Sequence, residues 1–341
     1  MKSNGITNTV YETIQRDGFA GPFDTGIPRE RMAQAASYVD DVLFERRPNP
    51  LYGRFSVRDY HLVNRGLLEI LSCEAIVSRA AQILDENLLM WRSKIFCKPP
   101  GEGPLGWHQE WGAFNGEEIG NDRPALRPTA KRAELPWNLT VWVALDDVDA
   151  DMGPVRFARR SHHRRFPIAM EPLVQSEFFL DPFLGIDTVE ELVRRARSNA
   201  LVLDIDTALY FDTIDPARMS LEEARAHVIG RLQTEKGAVT LGFDPAEHEI
   251  VSVPMPAGSF VMFYERTMHG SSANNSQRRR LGINARFTPS DTTVYAFRAD
   301  SRPIDGSNLD VSQHACVLVG GKNLNHANRV IGRDELLARL D

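Results

Sequence analysis

The chain is 341 residues long, 42% hydrophobic and 25% charged, a globular composition with ample apolar material for a core. A net charge of −6 and an isoelectric point near 5.9 argue against a nucleic-acid or anionic-lipid surface, and three scattered cysteines, Cys73, Cys97 and Cys316, argue against a disulfide framework. The N-terminus lacks a signal-peptide pattern and no apolar run approaches the roughly 20 residues of a membrane span, so the expectation is a cytoplasmic protein that binds neither nucleic acid nor membrane.

The first ninety residues read mainly as helix. After Pro28, the spacing of Met32, Ala36, Val39 and Val42–Leu43 puts an apolar stripe on one helical face, with proline near the first turn. Residues 67–71 and 75–84 give two further helical stretches. From Leu88 the texture becomes that of strands. Leu89-Met-Trp-Arg-Ser-Lys-Ile-Phe-Cys-Lys runs into the turn-rich Pro99-Pro-Gly-Glu-Gly-Pro. Asn138 to Leu145 and Val155 to Ala158 read as strands. A long excursion over 171–249 carries two charged helical patterns, Val189–Arg197 and Leu221–Leu232. Strand texture returns in Ser259–Tyr264 and in Leu281 to Phe287. One domain is expected over 1–341: helical support over 1–87, an all-β barrel or sandwich core over 88–170 and 250–300, an inserted helical cap over 171–249, and a C-terminal extension over 301–341.

Two sequence segments carry recognisable chemistry. In Trp107-His108-Gln109-Glu110-Trp111, residues two apart on a strand share a face, so His108 and Glu110 can converge on one point. With a distant second histidine they make a 2-His-1-carboxylate triad, which leaves metal positions open. Alone the motif is weak: with nine histidines and 46 acidic residues, about one His-x-Asp/Glu arises by chance. The second segment strengthens it. Met268-His269-Gly-Ser271 follows a strand, and Arg280 opens the next, which is expected to run back alongside. A histidine ligand and an arginine on adjacent strands suit a metal that also binds a dicarboxylate, because arginine grips a carboxylate with two parallel hydrogen bonds. A structural zinc site fits poorly, since such sites normally close with four ligands, often cysteine.

These segments, with others, give the chain a family likeness. Arg16-Asp-Gly-Phe-Ala-Gly-Pro-Phe-Asp, Met90-Trp-Arg with Lys98-Pro-Pro-Gly-Glu-Gly, Trp107-His-Gln, Leu139-Thr-Val-Trp-Val-Ala, Gly153-Pro154, Val253-Pro-Met, Ala257-Gly, Met268-His269 and Arg286-Phe-Thr-Pro-Ser occur in characteristic order. In these the sequence resembles the phytanoyl-CoA dioxygenase superfamily of Fe(II)/2-oxoglutarate oxygenases, and within it the syringomycin-type chlorinating enzymes. The likeness covers most of the chain. It implies a double-stranded β-helix of jelly-roll, cupin-like form, with Fe(II) bound by His108 and His269 and with 2-oxoglutarate and O2 as co-substrates. It implies that Arg280 clamps the far carboxylate of 2-oxoglutarate and that Ser271, Trp142 and Lys94 line its pocket. Asn115 and Arg286 match polar positions near the metal, with a substrate or supporting role. His162 and His163 read as surface residues.

One departure bears on the reaction. In the chlorinating relatives the carboxylate position is alanine or glycine, which lets chloride reach iron; here Glu110 fills it. The implied outcome is hydroxylation of an unactivated C–H bond in an amino-acid-like natural-product intermediate, free or carrier-bound. Desaturation or cyclisation begins from the same chemistry. Halogenation requires chloride to compete with Glu110, and a metal-binding barrel without catalysis shares the same residues.

Overall fold

The computed structural model describes residues 8–110, 123–132, 137–202, 205, 207–208 and 213–340. In chain order its elements are α1 (Asn8–Asp17), β1 (Phe19–Asp24), α2 (Arg29–Glu45), α3 (Arg65–Leu71), α4 (Glu74–Ile83), β2 (Leu88–Lys98), β3 (Leu105–His108), β4 (Leu126–Arg127), β5 (Leu139–Ala144), β6 (Val155–Ala158) and β7 (Ile168–Pro172). Then follow α5 (Val189–Arg197), α6 (Leu221–Leu232), β8 (Lys236–Thr240), β9 (Ile250–Val253), β10 (Ser259–Tyr264), β11 (His269–Ser271), β12 (Arg280–Pro289), β13 (Thr293–Val294), β14 (Cys316–Gly320), β15 (Val330–Gly332) and α7 (Arg333–Arg339). Helix starts follow the local chemistry. Pro28 precedes α2, the Thr188 hydroxyl accepts from Glu191 N at the start of α5, and Ser220 with Glu223 forms a reciprocal capping box on α6.

Two sheets make the jelly roll that the sequence resemblance implies. The larger has the order β1-β10-β5-β12-β2-β14-β15 and the smaller β3-β11-β6-β9. Alternation along the strands of the larger sheet separates two environments. Leu281, Ile283, Ala285 and Phe287 of β12, with Leu139, Val141 and Val143 of β5, join Met32, Leu67, Ile76 and other helical residues in one apolar core. The opposite face of β12 carries Arg280, Gly282, Asn284 and Arg286. It looks into the space between the sheets, where Phe157 of β6 packs on Phe263 of β10 at 5.0 Å between ring centroids. Gly282 has no side chain to spare there, because a Cβ would collide with the Trp142 indole.

Two expectations are corrected. The strand carrying His269 does not lie beside that carrying Arg280: β11 pairs with β3 and β6, whereas β12 lies between β5 and β2. The chain crosses between sheets after Ser271, and buried Asn274 pins the crossing by donating to Lys98 O at 2.9 Å and Arg278 O at 2.7 Å. His162 is buried, not superficial; its Nε2 donates to Gln15 O at 3.0 Å, and its ring lies 3.9 Å from that of exposed His163.

The excursion after β7 returns through β8, which pairs with β7 antiparallel. Its helices α5 and α6 bury Leu192, Ala196, Val228 and Leu232 in an apolar cluster of their own. This cap is tied to β3: Gly106 N donates to Glu177 O at 3.1 Å and Thr240 Oγ1 to Trp107 O at 3.1 Å.

Candidate active site

His108 ends β3 and His269 begins β11, and the two are direct cross-strand partners. Their ring centroids lie 4.2 Å apart. Each ring is fixed in the same way. His108 Nδ1 is 2.9 Å from Gly106 O and His269 Nδ1 is 2.8 Å from Thr267 O. A carbonyl can only accept, so Nδ1 carries the proton in both rings and the lone pair is left on Nε2, the arrangement found in metal-binding histidines. Burial lowers the pKa of both, that of His269 strongly, with the neighbouring His108 adding to the effect. Both rings therefore stay neutral, as metal ligands must.

Arg280 marks another part of the interior. Its side chain is buried, its guanidinium carbon is 5.3 Å from the Trp142 ring centroid, and Nη1 donates to Gly153 O at 2.8 Å. Burial pulls its pKa down to about 10, partly offset by Glu102, which still leaves it charged near neutrality. Its Nε is buried without a hydrogen-bond partner, as are Ser271 Oγ, Asn284 Oδ1, Thr140 Oγ1 and Glu110 Oε2. Native interiors rarely leave buried polar atoms unsatisfied. These five atoms, on β5, β11, β12 and the segment after β3, are polar groups that a bound ligand could satisfy.

Residues 15–208 and 215–282 match the family described as phytanoyl-CoA dioxygenase (PhyH). The chain belongs to that family. In class it is therefore a non-haem oxygenase dependent on iron(II) and 2-oxoglutarate. Over 58 residues it is 34% identical to a probable alpha-ketoglutarate-dependent hypophosphite dioxygenase of Stutzerimonas stutzeri, a stretch covering 17% of this chain and 20% of that protein. Three solved structures share the fold. CytC3 with Fe(II) and alpha-ketoglutarate aligns with TM-score 0.56 and 18% identity over 94% of this chain and 91% of that one. The non-heme monooxygenase ThoJ gives 0.56 and 16% over 97% and 98%. The alpha-ketoglutarate-dependent epimerase SnoN from nogalamycin biosynthesis gives 0.54 and 16% over 96% and 93%.

In this PhyH-family protein the anticipated residues are gathered to different degrees. His108 and His269 face each other, and Trp142 sits beneath Arg280. Lys94 lies across from Asn284 on β2, its Nζ 5.5 Å from the Phe96 ring and within electrostatic reach of His108. Asn115 lies outside the described residues. Glu110 departs from expectation. β3 stops at His108, so the carboxylate is not set by strand alternation. Four hydrogen bonds end the strand: Gln109 spends its side chain on Arg164 O, Arg266 O and Phe166 N, and Glu110 N donates to Glu265 O at 2.8 Å. The Glu110 carboxylate meets Arg286. Among the described residues no three His, Cys, Asp or Glu side chains converge as a complete metal cluster. The donor types nonetheless suit iron: two neutral imidazoles with presented Nε2, and a buried carboxylate oxygen lacking a partner.

Two residues at the site carried no readable signal in the sequence. Phe178, from the cap, places its ring 4.7 Å from that of His108 although 45% of it is exposed. Glu265, just after β10, is buried with neither carboxylate oxygen hydrogen-bonded, and burial pushes its pKa up to about 7 against the pull of Arg266. A lone phenylalanine in a long insertion and a glutamate beside a strand end look like many others in a sequence.

Proposed function

We propose that this enzyme hydroxylates an unactivated C–H bond of a small, amino-acid-like natural-product intermediate, free or carrier-bound. In this reading His108, Glu110 and His269 hold Fe(II), and Arg280 grips the far carboxylate of 2-oxoglutarate. The observation that carries it is the facing pair of histidines, each with its proton tied to a backbone carbonyl and its Nε2 left to bind. When bound, iron supplies oxygen activation: one atom of O2 enters the substrate as hydroxyl, the other enters succinate, and CO2 leaves from 2-oxoglutarate.

The chain's own groups supply position and dryness. Arg280, stacked on Trp142 and stripped of water, offers a fixed fork to a carboxylate. The buried Ser271 hydroxyl and the Lys94 ammonium are further donors for the same co-substrate. Phe178 puts an apolar ring beside His108, where it excludes water from the side of the site covered by the cap.

The test is anaerobic addition of Fe(II) and 2-oxoglutarate, which should produce the weak visible charge-transfer band of a chelated keto-acid. His108→Ala and His269→Ala should each abolish it. Unchanged iron and keto-acid binding in both variants removes the ligand assignment.

A further inference from the structure

The Glu110–Arg286 pair does more than neutralise two charges. Arg286 Nη2 donates to Glu110 Oε1, and each side chain retains 14% exposure. In so sheltered a place neither charge is tolerated without a partner. Arg286 lies across the β12–β2 ladder from Arg92, whose own charge is met by Asp305 at 2.5 Å. Glu110 lies beyond the end of β3, so strand geometry does not orient it. Its backbone is held by Glu265 O and its side chain by Arg286. The two carboxylate oxygens end up unequal: Oε1 is bound to the guanidinium, while Oε2 is buried with no donor. An unmet buried acceptor is costly, and a cation would remove that cost.

We propose that Arg286 is the positioning residue of Glu110, engaging Oε1 so that Oε2 is the atom offered to a divalent cation. The inference rests on the reading of Glu110 as a metal ligand. The guanidinium is suited to the task because its planar fork fixes a carboxylate in orientation as well as in charge, which an ammonium does not.

The experiment titrates the full chain with Co(II), following affinity and the d–d absorption of the bound ion. It compares wild type, Arg286→Lys, Arg286→Gln, Glu110→Gln and the Glu110→Gln/Arg286→Gln double variant. Loss of a partner that orients a metal ligand typically weakens metal binding about 10- to 100-fold. Arg286→Gln should show such a loss with an altered spectrum, and Arg286→Lys a smaller one. In the Glu110→Gln background the Arg286 change should add nothing, because the residue acts through Glu110. If Arg286→Gln leaves affinity unchanged or tightens it while Glu110→Gln weakens it, the positioning role is overturned and Glu110 remains a ligand. If Glu110→Gln has no effect, the ligand reading falls and takes this proposal with it. If Arg286→Gln does not fold, a folded Arg286→Lys with wild-type affinity and spectrum overturns the proposal.

Discussion

Arg280 and Arg286 project from the same face of β12, six residues apart, and so stand about 20 Å from each other along the strand. One guanidinium lies over Trp142 and the other on Glu110. Two residues of the same type on one strand face thus occupy separate chemical environments. Their substitutions should have separable effects.

Arg280→Lys should raise the 2-oxoglutarate concentration needed for half-maximal succinate formation by roughly tenfold or more, since a charged hydrogen bond is worth about 1.5–3 kcal/mol. Arg286→Lys should change that concentration less. Succinate formation followed against 2-oxoglutarate concentration in air gives both values. Equal effects from the two variants would remove the assignment of Arg280 as the co-substrate clamp.

Acid should destabilise the fold through its buried histidines, His61 and His162 among them. Burial lowers the pKa of His61 and of His162 from 6.5 to about 4. The unfolded chain therefore takes up protons between pH 6.5 and 4 that the folded chain refuses. Stability should fall as pH drops through that window, by about 1.4 kcal/mol for each unit of pKa difference at each site. Urea midpoints at pH 7 and pH 5 measure the slope. His162→Gln, which retains a donor for Gln15 O, should flatten it; an unchanged slope would mean that His162 protonates freely in the folded state.

Occupation of the metal by Glu110 should make the wild-type Co(II) spectrum indifferent to chloride. Glu110→Ala should bind Co(II) more weakly and gain a chloride-dependent spectral change. A wild-type spectrum that already shifts with chloride would support the halogenating reading over the hydroxylating one.

The cap has its own core, so it should loosen on its own. Leu192→Ala removes a fully buried side chain from that core, a change that typically costs 2–5 kcal/mol. Hydrogen exchange should accelerate in α5 and α6 with little change in β5 or β12. Equal acceleration in the barrel would show that cap and barrel open as one unit.

Much of this architecture was legible locally. α5 and α6 announce themselves through Thr188, Ser220 and Glu223 at their starts, and β12 through its alternation of Leu281, Ile283, Ala285 and Phe287 with polar partners. Strand pairing was less legible. β11 has three residues, and its neighbours β3 and β6 lie far away in sequence, so nothing local reveals that His269 belongs to the sheet opposite Arg280. β1 was missed because Gly21 and Pro22 interrupt its pattern. Glu110 read as strand because the termination depends on Gln109 finding three backbone partners in other loops. His162 read as surface because the chain that covers it, around Gln15 and Gly18, comes from the other end of the sequence.

The carbonyls that hold His108 and His269 belong to the main chain, at Gly106 and Thr267. Every residue has a carbonyl, so substitution at position 267 leaves the proton on His269 where it is, provided the backbone keeps its course. The same holds for His108, subject to Glu177 leaving little room at position 106. The two histidines thus owe their readiness to bind to the course of the backbone and not to neighbouring side chains. Mutation can then change the side chains around the two rings while that readiness is inherited unchanged.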